Sequence, residues 1–282
     1  MGAIVLNGRE VSKEIRKELK VEADRIKQLG LQPGLSVVIV GDDPASRVYV
    51  NNKKKACEEI GIRSFEHALP EKTTEDELIE LVQTLNNDES VHGILVQLPL
   101  PKHIDEERVL LNISPNKDVD AFHPFNVGKI MIGNYDFLPC TPAGIMELIH
   151  RAQICLEGKE CVVIGRSNIV GKPMALLLLH DNATVTVCHS RTKNLKDVCK
   201  RADVLVVAVG KPNMIDAEYV KAGATVIDVG TNRLPNGKLT GDVDFESVSK
   251  IASYITPVPG GVGPMTITML MKNTIKAAQL PI

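Results

Sequence analysis

Three side chains able to handle protons step along one stretch near the N-terminus. In Ser46-Arg-Val-Tyr49-Val-Asn-Asn-Lys53 a hydroxyl, a phenol and an amine are spaced by three and four residues, which places them on one helical face. A lysine works as acid or base when burial or nearby positive charge brings its pKa toward neutrality. The same residues also suit an ordinary surface helix, with Lys53-Lys54-Lys55 as a solvated run and Tyr49 as a half-buried packing residue. Gln97 interrupts the apolar run Gly93-Ile-Leu-Val-Gln-Leu-Pro-Leu-Pro101 where that strand should end. Asp118 and Asp120 lie in Pro115-Asn-Lys-Asp-Val-Asp-Ala-Phe-His-Pro124. A lone carboxylate suits a ligand that presents two parallel donors, and either Asp equally suits a turn or helix cap.

A second candidate site follows the run Cys161–Ile164. There Gly165-Arg166-Ser167-Asn168-Ile169-Val170-Gly171-Lys172-Pro173 leads into an apolar helix, so strand, glycine turn and helix come in sequence. Backbone N–H groups at such a helix start favour phosphate. The glycines do not match G-x-G-x-x-G, and a plain strand–helix turn fits them as well. The next strand, Thr184–Cys188, ends in His189-Ser190-Arg191-Thr192 without the acid that bonds a ribose 2′-OH in NAD sites. Arg166, Arg191 and Ser190 together suit a 2′-phosphate, so the pattern reads as NADP rather than NAD; the bland alternative is two solvated arginines. Gly210 and Gly230 end strands at the same edge. The loop Pro257–Pro264 is rigid, and its glycines leave backbone bare enough for a flat ring.

Alternating strands and helices must position these groups. Leu35–Val40, Gly93–Val96, Cys161–Ile164, Thr184–Cys188, Val204–Val209 and Thr225–Val229 are apolar nearly throughout, as strands covered on both faces should be. Amphipathic stretches lie between them: Val11–Leu29, Thr74–Leu85 opening on a Thr74-x-x-Glu77 capping box, a helix opening at Thr141-Pro142, and a last helix Met265–Leu280. The spacing predicts an α/β chain of parallel β-α-β units in two domains around a cleft. The first domain takes residues 1–138 and the second, 139–263, is a Rossmann-like parallel sheet, with a last helix at 264–282 after it. The irregular stretch Ile113–Pro139 reads as linker or cleft lining.

Composition excludes several classes. The chain has 282 residues, with 35 acids against 33 bases and a net charge of −2, which argues against a polyanion-coating protein. Aromatics are 3% with no Trp, so a base-stacking nucleic-acid surface is not expected. The longest apolar runs fall far short of the roughly twenty residues of a membrane span. The N-terminus turns polar at Asn7-Gly8-Arg9-Glu10, without a secretory core. The six cysteines, at 57, 140, 155, 161, 188 and 199, form no zinc spacing and read mostly as reduced, buried thiols. A cytoplasmic protein without a metal, nucleic-acid or membrane partner is expected.

Taken together these segments resemble the bifunctional methylenetetrahydrofolate dehydrogenase/methenyltetrahydrofolate cyclohydrolase family. The matching pieces are Ser46-x-x-Tyr49-Val-x-x-Lys53, Gly93-Ile-Leu-Val-Gln-Leu-Pro-Leu-Pro101, Pro115-x-Lys117-Asp-Val-Asp120, Gly165-Arg-Ser-x-x-Val-Gly-x-Pro173 and Pro257-Val-Pro-Gly-Gly-Val-Gly-Pro-Met-Thr266. They span nearly the whole chain in the family's order. The resemblance implies NADP on the second domain, a tetrahydrofolate substrate between the domains, a C-terminal helix returning to the first domain, and a homodimer joined through the cofactor domains. It implies a role in one-carbon metabolism and purine biosynthesis. It makes Lys53 the catalytic lysine, with Tyr49 packing on the folate rings, Ser46 at the substrate, Gln97 tuning the lysine and Asp120 holding the pterin amide edge. Gly165, Arg166, Ser167, Ser190 and Thr231 would line the cofactor site, and Pro259, Gly260, Gly261 and Val262 the ring pocket. Ala121 stands where the family usually has Gly, and Thr231 where it usually has Ile or Val. Two other classes compete. A short-chain dehydrogenase pairs Tyr with Lys, but its glycine motif comes first. A non-catalytic NADP or folate sensor would share the fold.

Overall fold

The structure is a computed structural model that describes residues 2–280. Contacts divide it into two compact units. The first holds residues 13–140 and 267–280, and the second holds residues 2–12 and 141–266.

The chain opens on a two-residue strand, β1 (Ile4–Val5), and a long helix, α1 (Gly8–Gln28), whose Ile15, Leu19, Ala23 and Ile26 are buried on one side. In the first unit follow β2 (Gly34–Val40), α2 (Pro44–Ile60), β3 (Arg63–Leu69), α3 (Glu75–Asn87), β4 (Gly93–Val96), α4 (Glu106–Leu111) and α5 (Pro124–Met131). The three strands form a parallel sheet in the order β3-β2-β4. The central strand β2 is buried at every residue, which its unbroken aliphatic run requires. Val38, Val40, Ile94 and Val96 pack with Leu78, Ile79, Val82 and Leu85 of α3.

Local chemistry sets the helix ends. The Asp43 carboxylate accepts from the Ser46 amide at 2.7 Å, Pro44 occupies the first turn of α2, and Gly61 ends the helix at φ +89°. The expected capping box at α3 is present: the Glu77 amide donates to Thr74 Oγ1, and the Glu77 carboxylate accepts from the Thr74 amide at 2.8 Å. Thr74→Ala should therefore cost about 1 kcal/mol, read as a lower denaturant midpoint with an unchanged slope.

The second unit continues with α6 (Cys140–Arg151), β5 (Glu160–Ile164), α7 (Gly171–His180), β6 (Thr184–Cys188), α8 (Leu195–Cys199), β7 (Val204–Val207), β8 (Thr225–Asp228), the hairpin β9 (Asn232–Arg233) and β10 (Leu239–Thr240), α9 (Phe245–Val248), β11 (Tyr254–Ile255) and α10 (Val262–Gln279). Its main sheet is parallel throughout, in the order β1-β11-β8-β7-β5-β6. Val162, Ile164, Leu205, Val207, Val226 and Ile255 form its core. The order turns back beside β5: β6 lies on one side and β7 on the other. In such sheets ligands bind outside the carboxyl ends of the strands at that switch point.

Two features differ from the expectation. Residues 2–12 belong to the second unit rather than to the first domain, because β1 pairs in parallel with β11. The stretch read as linker contains α5, started by Pro124 and capped by His123 Nδ1, which accepts from the Phe125 amide at 3.1 Å. The C-terminal part of α10 packs with the first unit, as its Asn273 bonds to Val119 and Leu138 show. All six cysteines are free and only Cys155 is exposed. Among the described residues no helix is long and apolar enough to cross a membrane, and no group of three or more His, Cys, Asp or Glu could hold a metal ion.

Candidate active site

The first unit buries an amine. Lys53 sits on α2 and is only 8% exposed. Its Nζ donates to Gln97 Oε1 at 2.8 Å. Gln97 immediately follows β4, and its own Nε2 donates to the Leu98 carbonyl at 2.7 Å. That second bond settles which end of the amide faces the lysine, since only the oxygen can accept from the ammonium or amine. Burial lowers the Lys53 pKa; Asp120, Cys140 and Cys57 pull the other way, Asp120 most. Burial raises the Asp120 pKa against the attraction of Lys53 and a side-chain bond from Cys140. The result is a buried amine and a partly buried carboxylate, each moved toward its neutral form.

The two aspartates separate cleanly. Asp118 accepts from the Phe122 amide at 3.2 Å, the His123 amide at 2.8 Å and Asn126 Nδ2 at 2.9 Å. It organises the turn into α5 and is the cap that its sequence allowed. Asp120 has no such backbone duty and is the carboxylate at the lysine. Ala121, just beyond it, holds φ +56°, a left-handed conformation that glycine adopts more readily. Ser46 is buried, while Tyr49 is 38% exposed. No hydrogen bond among the described residues joins either hydroxyl to Lys53. The spacing therefore places the three on one helix, but only Lys53 enters the polar network.

The second unit forms a glycine cradle at its switch point. Gly165 follows β5 with φ +128°, and a Cβ there would come within 2.3 Å of the Ala208 carbonyl after β7. Such bare backbone lets a phosphate approach. Ser167 Oγ accepts from the Val170 and Gly171 amides at 3.2 and 3.3 Å and so braces the turn that leads into α7. Arg166, Ser190, Arg191 and Thr231 are exposed. The backbone under Arg191 is fixed: its amide donates to His189 Nδ1, and the His189 amide donates to Thr192 Oγ1. No carboxylate among the described residues pairs with either arginine. Exposed guanidiniums, a hydroxyl and a glycine cradle without an acid at the end of β6 fit a dinucleotide carrying an additional phosphate.

Sequence reasoning missed two buried carboxylates behind this cradle. Asp242 accepts from the Val209, Gly210 and Lys211 amides at 2.7, 2.9 and 2.8 Å and from Asn232 Nδ2 at 2.8 Å. Asp228 accepts from the amides of Gly230, Asp242 and Val243. Burial raises the Asp228 pKa to about 6 although those amides lower it. Together they fix the turns after β7 and β8; the signal was an acid near the end of the apolar run Val226–Val229 and another between Gly241 and Val243. Cys140, against Asp120, was also missed, since a lone cysteine in Leu138-Pro-Cys-Thr carries no distinguishing pattern. The residues expected at a ring pocket lie in the second unit: Gly260 has φ +109° with Arg9 beside it, and Gly261 is packed against the Pro257 carbonyl so that a Cβ would meet it at 2.6 Å. Pro259 follows a cis peptide bond, and Val262 begins α10.

A doubly covered parallel sheet with a glycine cradle, joined in one chain to a buried lysine–glutamine pair, defines a dinucleotide-dependent enzyme with a separate proton-handling centre. Comparison with known proteins makes the class specific. Residues 6–120 match the family model described as tetrahydrofolate dehydrogenase/cyclohydrolase, catalytic domain, and residues 139–281 match its NAD(P)-binding domain. The chain is 70% identical over 280 residues to the bifunctional protein FolD of Acetivibrio thermocellus, covering 99% of this chain and 98% of that one. Among solved structures, the bifunctional FolD enzyme of Campylobacter jejuni is 54% identical with a TM-score of 0.97, covering 98% of this chain and 99% of that one. The FolD enzyme of Trypanosoma brucei, complexed with NADP and an inhibitor, is 43% identical with a TM-score of 0.95, covering 99% and 98%. The chain belongs to the tetrahydrofolate dehydrogenase/cyclohydrolase family.

Proposed function

We propose that the protein oxidises 5,10-methylenetetrahydrofolate to the 5,10-methenyl cation with NADP+ and then hydrolyses the cation to 10-formyltetrahydrofolate. The buried Lys53–Gln97 pair beside Asp120 carries this reading. Residues 13–138 with the C-terminal part of α10 bind the folate, and 139–263 bind NADP. Bound NADP+ supplies a nicotinamide ring that accepts the hydride. No proton leaves in that step, so the chain's own residues mainly orient flat ligands.

Hydrolysis makes the larger demand on the protein. Water attacks the methenyl carbon and must lose a proton. Neutral Lys53 is the amine available to take it, and the cationic substrate lowers its pKa further. Because Nζ donates to Gln97, the lysine lone pair is directed away from that amide. Asp120 holds the pterin amide edge, Tyr49 lies against the rings and Ser46 lines the substrate site, with Pro259, Gly260, Gly261 and Val262 shaping the ring pocket. Arg166, Ser190 and Arg191 hold the 2′-phosphate, Gly165 and the turn at Ser167 meet the pyrophosphate, and Thr231 adds a hydroxyl near the ribose or nicotinamide.

The enzyme acts in the cytoplasm as a homodimer joined through its cofactor units; sizing chromatography with light scattering checks the assembly. The test of the activity is a paired assay on one purified preparation: methylenetetrahydrofolate with NADP+ or NAD+, and methenyltetrahydrofolate alone. Oxidation with NADP+ and hydrolysis are both expected. A protein that binds the ligands and turns over neither is a sensor on the same fold.

A further inference from the structure

The C-terminal helix brings one polar side chain to the lysine site without touching the lysine. Asn273 on α10 is 8% exposed. Its Nδ2 donates to the Val119 carbonyl at 2.8 Å and to the Leu138 carbonyl at 2.9 Å, and it lies 3.7 Å from Cys140 Sγ. An amide nitrogen has two hydrogens, so the two carbonyls use its full donor capacity. The Val119 carbonyl belongs to the peptide that leads into Asp120. Cys140 Sγ donates to that same carbonyl at 3.5 Å, and its thiol is one of the groups that act on the Asp120 carboxyl. One side chain thus fastens both segments that present groups to Lys53.

We propose that Asn273 is a positioning residue of the lysine site, clamping the Val119 and Leu138 carbonyls so that Asp120 and Cys140 keep their places in the electrostatic surroundings of Lys53. The proposal rests on the reading of Lys53 as the hydrolytic amine and Asp120 as the folate-binding carboxylate. The charged and titratable groups facing Lys53 are Asp120, Cys140 and Cys57; those facing Asp120 are Lys53, Cys140 and Asp118. Asp120 is the main group favouring the protonated lysine, so its retreat from the amine lets Lys53 deprotonate at lower pH.

The test is Asn273→Leu, similar in volume and without donors, in the full-length enzyme. The KM for methenyltetrahydrofolate should rise by about tenfold or more, as a small displacement of a binding group does. The acid limb of the hydrolysis pH profile should move to lower pH, while the KM for NADP+ stays within about twofold. A lowered thermal midpoint with an unmoved limb and unchanged folate KM would mean that Asn273 only fastens the helix. Cys140→Ala and Cys140→Ser keep the question answerable if the Leu variant does not fold. Ala should move the same limb, Ser should restore it, and an unmoved limb in Cys140→Ala overturns the proposal. Parental hydrolysis by Lys53→Met would remove the underlying site, and the proposal with it, by a separate measurement.

Discussion

Lys53→Met should lower cyclohydrolase turnover by about 10²–10⁴-fold, the range of a lost general acid–base group, while the dehydrogenase loses far less. Methionine fills a similar volume, so the packing of α2 against β2 should survive the exchange. What disappears is the nitrogen that donates to Gln97 Oε1 at 2.8 Å and the only amine in the buried network. Hydride transfer needs two ligands held in register and no proton carrier, whereas hydrolysis must take a proton from the attacking water. The two activities, measured on one preparation, should therefore separate. The wild-type pH profile supplies an independent check. Burial lowers the Lys53 pKa, with Asp120 opposing. If the neutral amine is the base, turnover rises with pH through that lowered value and levels above it, on the acid side of an ordinary lysine. A Met variant that hydrolyses at the parental rate would take the lysine out of the mechanism.

The parts that can be read from the chain are those in which local pattern and burial agree. The runs at 35–40, 93–96, 161–164, 184–188, 204–209 and 225–229 are aliphatic because helices cover both faces, and each contains a strand of the parallel sheets. The edge strand β3 escapes that reading. Its Phe65 and Leu69 face the core, but Ser64 and Glu66 alternate with them and exposed Arg63 opens the strand, as an edge strand permits. β1 and β11 have two residues each and are defined only by pairing across the length of the chain, which is why residues 2–12 go with the second unit.

The sites divide in the same manner. Helical spacing put Ser46, Tyr49 and Lys53 on one helix, yet burial and a partner on a different strand decide that Lys53 is the one engaged. Asp118 and Asp120 have the same side chain two residues apart. Only the fold shows that one accepts from two amides and Asn126 while the other feels the charge of Lys53. Asn273 is further still from legibility. An asparagine in Met271-Lys-Asn-Thr looks like a helix surface residue until α10 is docked and its amide finds two carbonyls 135 and 154 residues away in sequence.

Arg191→Ala should raise the KM for NADP+ by about tenfold or more, the weight of a charge-assisted bond to a phosphate, and leave the KM for NAD+ within about twofold. Discrimination between the two nucleotides can arise only where they differ, at the 2′ position. In this fold that position lies at the end of β6, where an acid would select the bare hydroxyl and repel a phosphate. Here β6 ends in Cys188 and the turn is His189-Ser-Arg-Thr192, with the backbone of Arg191 anchored through His189 and its guanidinium free of any carboxylate among the described residues. In the proposed function Arg166, in the glycine turn after β5, is the second cation for the same phosphate. Arg166→Ala should accordingly act in the same direction, and the double variant should bring the two cofactors close to parity. Raising the ionic strength should weaken NADP+ more than NAD+ in the parent and erase that difference in the double variant, because exposed charge pairs are screened. Equal losses for both nucleotides in Arg191→Ala would place the arginine elsewhere on the cofactor and return the selectivity to Arg166 and Ser190.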